Sequence, residues 1–157
     1  MEALNQEVLE KLWAWCSGQE RCASELRRKL KRLLVPEERF EGYHDSLKKD
    51  AYMNEERFAE AFASGKSRIK QWGPMKIRSA MRMKGVPAPL IDKVLGELDA
   101  AEMTATIDKL LEQKWPKIKA NDEYDHKQKA IRFLAAKGYK ISMAYAALER
   151  FQKVKND

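Results

Sequence analysis

The chain has 157 residues, 44% hydrophobic and 35% charged, with a formal net charge of +7. That length holds one compact domain or a few small repeats, and few glycines and prolines, scarce Val and Thr, and abundant Ala, Leu, Lys, Glu and Arg favour helix over sheet. A basic chain favours anionic partners; no apolar run approaches the roughly 20 residues of a membrane span, and the polar start MEALNQEVLEK does not read as a signal peptide.

In chain order, the first predicted helix carries Val8, Leu9, Leu12, Trp13 and Cys16 on one side. Cys16 and Cys22 lie far from His44 and His126, which is no zinc spacing, so both read as reduced thiols and both histidines as surface residues. CASELRRKLKRLL then gives a short helix with Leu26 and Leu30 inward, and Phe40, Tyr43 and Leu47 mark a third.

The middle of the chain repeats this order. Asn54 is an N-cap with Glu55 and Glu56 in the first turn. Phe58, Phe62, Gly65 and Ile69 form one predicted seam. Gly73 is expected to end that helix and Pro74 to open the next, where its missing N–H has no partner to lose. Ile77, Ala80 and Met81 share a face, Gly85 suits the C′ position, and Ile91, Val94, Leu95 and Leu98 line a third helix. A shift of 51 positions lays this pair of short helices on the first pair without a gap: Ile77 on Leu26, Met81 on Leu30, Pro87 on Pro36, Leu98 on Leu47. A shift of 53 gives a weaker third copy, with Met81 on Leu134 and Gly85 on Gly138. Its long helix carries Ile107, Leu110, Leu111 and Lys114, and PKIKANDEYDH reads as a longer loop. The expected fold is all-α, an elongated, curved stack of three tandem three-helix repeats over residues 7–50, 54–99 and 102–151. A non-repeat helical bundle is the alternative.

Basic residues recur at equivalent positions. Arg78 and Arg82 share a helix face and align with Arg27 and Lys31; the third copy has Ile131 and Ala135 there, an apolar ridge. Lys66 and Lys70, four apart, flank a Trp72-Gly73-Pro74 corner together with Lys76, and no acid occurs from Gly65 to Val86. Such a surface suits phosphates or an acidic protein groove, or is a solvated face without a partner. Trp72 can stack on a base or close the gap between two helices. Phe58, Phe62, Phe133 and Tyr145 lie at core spacing. No phosphate-cradling glycine loop, nucleophile elbow or acidic metal cluster is present, so the expectation is a binding protein without cofactor or metal, not an enzyme.

YMNEERFAEAF followed by SRIKQWGPMKIRSAMRMKGV resembles the central motif of the RecX family, bacterial regulators of the recombinase RecA. The motif residues are Asn54 to Ala59, Arg68, Gly73, Pro74, Ile77, Met81, Lys84, Gly85 and Val86, with Met81 where the family usually has Leu and Asn54 where Asp is commoner. Ser24, Glu25, Leu26, Lys29 and Leu30 resemble an upstream element, and Arg132, Phe133, Leu134, Gly138 and Tyr139 the last repeat. The resemblance implies tandem three-helix repeats in a cytoplasmic, monomeric protein of DNA repair, homologous recombination and the SOS response. It implies docking in the groove of the RecA–single-stranded DNA filament, limiting filament growth, strand exchange and coprotease activity. The candidate contacts, chosen on charge placement, are Arg27, Lys31, Lys66, Arg68, Lys70, Lys76, Arg78 and Arg82. The alternative is a general nucleic-acid-binding helical module, for single- or double-stranded DNA, that acts without a recombinase.

Overall fold

The computed structural model describes residues 3–157; the first two residues of the polar N-terminal stretch lie outside them. The regular structure of the described residues is all helical, without a strand. The helices are α1 (Gln6–Gly18), α2 (Ala23–Arg32), α3 (Phe40–Lys49), α4 (Glu55–Arg68), α5 (Pro74–Met83), α6 (Ala88–Gly96), α7 (Ala100–Lys114), α8 (Glu123–Ala136) and α9 (Ile141–Asn156). Single 3-10 turns precede α3 at Glu37–Arg39 and follow α7 at Trp115–Lys117. The all-α expectation is met, and no described helix is long and apolar enough to cross a membrane.

Short polar side chains start the long helices. Asn5 Oδ1 accepts from the Val8 N–H at 3.1 Å, Asn54 Oδ1 from Arg57 at 2.8 Å, Asp99 Oδ1 from Glu102 at 2.9 Å and Asp122 Oδ1 from Asp125 at 2.7 Å. The second helix of each triplet ends alike. Leu34, Gly85 and Gly138 take positive φ angles of 60°, 84° and 105°. The N–H groups of Val35, Val86 and Tyr139 then reach back to the carbonyls of Leu30, Met81 and Leu134. This is the Schellman closure, which requires a left-handed C′ residue. Two triplets use glycine for it; the first uses Leu34, 89% exposed.

The chain divides into two compact units, Met1–Phe62 with Met81–Asp92, and Ala63–Ala80 with Lys93–Asp157. The division passes through α4, α5 and α6. In the first unit Leu12, Leu26, Leu30, Phe40, Tyr43 and Leu47 form a core, and the Tyr43 hydroxyl accepts from the Asn5 N–H at 3.0 Å. In the second, Ile107, Leu110, Leu111, Leu134, Tyr139, Ala144, Ala147 and Leu148 are buried together. The aligned pairs Ile77/Leu26 and Met81/Leu30 are all buried.

Several expectations are corrected. α4 stops at Arg68, not at Gly73, and Ile69 is 80% exposed rather than part of a seam. The inward face of α4 is Phe58, Ala59 and Ala63, while Phe62 is only half-buried. Tyr145 is exposed and Phe133 half-buried. The predicted loop PKIKANDEYDH is shorter than its polarity suggests, because α8 begins at Glu123 under the Asp122 cap. His126 is not a plain surface residue: its ring stacks on Trp115 at 3.6 Å between centroids, and its Nε2 lies 2.9 Å from the Trp115 carbonyl. Ile131 is buried in the core of the third triplet, so α8 presents no apolar ridge there.

Candidate functional site

Neighbouring triplets meet through equivalent helix ends twice, once inside each unit, but with different bonds. In the first unit the start of α2 meets the end of α5. Ser24 Oγ donates to the Lys84 carbonyl at 3.1 Å, and Lys84 Nζ reaches Glu25 Oε2 at 3.2 Å. The other oxygen of Glu25 accepts from the Cys22 N–H at 3.0 Å. Burial pushes the Glu25 carboxyl upward, but the Cys22 N–H and the Lys84 ammonium prevail and hold it below the usual carboxylate range. In the second unit the start of α5 meets the end of α8. The Gly73 N–H donates to the Lys137 carbonyl at 2.7 Å and the Met75 N–H to the Gly138 carbonyl at 2.9 Å. Lys137 Nζ donates to the Lys70 carbonyl at 3.2 Å and the Tyr139 hydroxyl to the Gln71 carbonyl at 3.0 Å.

Lys84 and Lys137 are equivalent under the shift of 53, and each reaches back to the preceding triplet. Sequence reasoning missed both as joint residues. The signal was the in-phase Lys-Gly pair at Lys84-Gly85 and Lys137-Gly138. Gly73 was read as a helix stop, but a side chain there would collide with the Gly138 carbonyl. Its smallness serves the joint.

The Trp72 corner lies in the second unit. Lys66 Nζ and Lys76 Nζ sit 4.9 Å and 4.6 Å from the centre of the half-buried Trp72 ring, within cation–π range. Lys70 and Lys76 are exposed, while Lys66 and Arg78 are half-buried. Arg68 is exposed and lies 3.6 Å from Glu102. The corner thus gathers Lys66 and Lys76 around one aromatic ring. Arg78 is less outward than the sequence suggested.

The remaining candidates belong to the first unit. Arg27 is exposed, but its guanidinium meets Glu37 at 2.6 Å and lies over the Phe40 ring at 5.4 Å. Lys31 and Arg82 are exposed. Solvent-exposed pairs such as Arg27–Glu37 and Arg68–Glu102 hold by only about 0–1 kcal/mol, so an incoming anion competes with them readily. The described residues contain no cluster of three or more His, Cys, Asp or Glu able to hold a metal ion. What the arrangement offers chemically is cationic side chains, an indole face and ordered backbone at the joints.

Comparison with known proteins places this geometry. The family model for the second three-helix domain of RecX matches residues 54–95, and that for the third matches residues 101–148. A "Regulatory protein RecX" from Clostridium perfringens (strain SM101 / Type A) is 32% identical over 128 residues, 80% of this chain and 59% of that protein. The chain therefore matches somewhat over half the length of that relative. One of the same name from Ectopseudomonas mendocina (strain ymp) is 30% identical over 125 residues, 76% of this chain and 77% of its own. Two solved structures share the fold. "Crystal structure of regulatory protein RecX" has a TM-score of 0.79 at 21% identity, covering 94% of this chain and 80% of that one. "Crystal structure of RecX from Lactobacillus salivarius" has a TM-score of 0.78 at 16% identity, covering 94% and 99%. Two consecutive domain matches falling on α4–α6 and α7–α9, together with relatives aligned over most of the chain, make this chain a member of the RecX family.

Proposed function

We propose that the protein is a negative regulator of a RecA-type recombinase. It binds the groove of the RecA–single-stranded DNA filament and limits filament growth, strand exchange and coprotease activity. Membership of the family of regulatory RecX proteins carries this reading. The role is binding, without cofactor or catalysis, in the cytoplasm. The DNA of such a filament is a polyanion, and the contact set is Arg27, Lys31, Lys66, Arg68, Lys70, Lys76, Arg78 and Arg82. Cations on several helices neutralise phosphates and release their counterions, which gives affinity and salt dependence together.

The experiment is strand exchange and DNA-dependent ATP hydrolysis by the recombinase of the same organism, with substoichiometric protein added. Inhibition at salt where filaments stay intact is expected; its absence defeats the proposal. A second reading, nucleic-acid binding without recombinase, is favoured by one observation, the indole of Trp72 flanked by Lys66 and Lys76. Tight, steeply salt-dependent binding to naked DNA, with no added affinity for filaments, selects it.

A further inference from the structure

The two joints bring together equivalent helix ends but differ in what ties and fills them. In the second unit a buried phenol fills the joint. Tyr139 is buried there with its hydroxyl on Gln71, Leu95 is buried, and Gly73 and Gly138 touch backbone to backbone. In the first unit, Val86 stands where Tyr139 stands, His44 where Leu95 stands, and Arg21 where Trp72 stands. The smaller Val86 leaves the joint unfilled. A cavity of about 140 Å³ remains, lined by Arg21, His44, Lys48, Glu55 and Lys84 among others. Lys48 occupies the position that Asp99 holds one triplet later, a cation in place of an acid.

Three cations and an imidazole therefore face one cavity with a single lining carboxylate. Each cation is held by a partner to one side. Arg21 Nε donates to the Trp15 carbonyl at 3.2 Å, with its guanidinium 4.5 Å from the Trp15 ring centre. Lys84 pairs with Glu25 at 3.2 Å, and Lys48 with Asp45 at 3.7 Å. These contacts hold the donors in place while leaving N–H groups on all three to spare. Burial, and next the Lys48 charge, lower the His44 pKa, so near neutrality the ring is a neutral N–H donor. The starts of α2 and α4 border the same space and add partial positive charge.

We propose that this cavity is a phosphate-binding site, taking a phosphate group through Arg21, His44, Lys48 and Lys84. The bound anion spans both sides of the joint, since Arg21, His44 and Lys48 come from the first triplet and Lys84 from the second. It does for this joint what Tyr139 does for the other: it fills the space and ties two triplets together. Two sources supply the same chemistry, inorganic phosphate and the terminal phosphate of a nucleic-acid strand. The site is separate from the contact set proposed above and does not depend on a recombinase.

The test is thermal unfolding of the full chain at constant ionic strength. Chloride is exchanged for inorganic phosphate in one arm. In the other, a short oligonucleotide is added with either a 5′-phosphate or a 5′-hydroxyl. A saturable rise in midpoint is expected. Apparent affinity should fall about tenfold or more in Arg21→Gln and in Lys48→Ala, since each removes a charge-assisted hydrogen bond. Lys48 is exposed, so its variant keeps the fold even if the Arg21 variant does not. A response to inorganic phosphate identifies the free ion as ligand, and one confined to the 5′-phosphorylated strand identifies a nucleic-acid end. No saturable rise with either probe, no rise with inorganic phosphate together with equal responses to the 5′-phosphate and 5′-hydroxyl strands, or wild-type affinity in Lys48→Ala overturns the assignment.

Discussion

Gly73 and Gly138 meet backbone to backbone. The Gly73 N–H bonds the Lys137 carbonyl at 2.7 Å, and neither glycine has room for a Cβ. Gly138 also holds a φ of +105°, so it is constrained twice, by space and by conformation. Gly138→Ala should cost about 2–4 kcal/mol and Gly73→Ala about 1–3 kcal/mol. Gly85 has a φ of +84° but open space where a Cβ would sit, so Gly85→Ala should cost only about 1–2 kcal/mol. Urea unfolding midpoints of the three alanine variants check this order; equal losses would rule out a steric contribution at the glycine pair.

Leu34 pays the left-handed penalty that its two counterparts avoid. Its φ is +60° and its side chain is almost wholly in solvent. Leu34→Gly should therefore raise stability by about 0.5–1 kcal/mol, the steric relief being partly offset by the greater freedom of glycine in the unfolded chain. The readout is an upward shift in the thermal midpoint, with a smaller one for Leu34→Asn. A fall in both variants would mean that the Leu34 side chain makes a stabilising contact.

Burial pushes the Tyr139 phenol up to about 12 from its ordinary value of 10.0. The folded protein therefore keeps the proton that the unfolded chain loses. The associated stability is intact below pH 10 and is lost as pH rises from 10 towards 12. Tyr139→Phe should abolish that alkaline slope. At neutral pH it should cost about 1 kcal/mol, because the Gln71 carbonyl loses its donor. Unfolding at a series of alkaline pH values, on both proteins, makes the comparison.

Glu25 behaves in the opposite sense. Its carboxyl lies below the ordinary 4.5 in the folded protein, so its contribution is present above pH 4.5 and disappears as pH falls through the folded value. Glu25→Gln should be less stable than wild type at neutral pH. The gap should narrow on acidification, when the wild-type carboxylate no longer meets Lys84 as an anion. A gap independent of pH would show that shape, not charge, holds that joint.

Reversal of Arg78 and Arg82 to Glu should abolish inhibition of the recombinase while leaving helicity intact. Arg82 is exposed and its replacement should change stability by about 0.5 kcal/mol or less. Arg78 is half-buried, so the single variant Arg82→Glu is the cleaner reagent. Circular dichroism reports the fold and strand exchange the function; full inhibition by both variants would remove Arg78 and Arg82 from the contact surface.

Much of the fold was legible because helix signals are local. The Asn54 cap, Pro74 at the first position of α5 and Gly85 after its end each act within one turn, and each is found as read. The apolar letters of the short helices also kept their phase, so Leu26, Leu30, Ile77 and Met81 are buried as expected. The reading failed where two periodic patterns compete. Ile69 continues the seam of Phe58 and Phe62 on paper, but the helix has already ended at Arg68 and the seam shifts to Ala59 and Ala63.

The candidate surface was legible only as a set of charges. Exposure and pairing depend on contacts that the letters do not show: Glu37 on Arg27, Glu102 on Arg68, and the Trp72 ring beside Lys66 and Lys76. The sequence by itself determined the helices, their order and the inward faces of the short helices α2 and α5, since capping, periodicity and propensity act over a few residues. Tertiary structure alone decided how the triplets join. Lys84 and Lys137 look like two more surface cations until the turn they end is seen against the helix start of the preceding triplet, where a glycine pair, a buried phenol or a cationic cavity sets the fit.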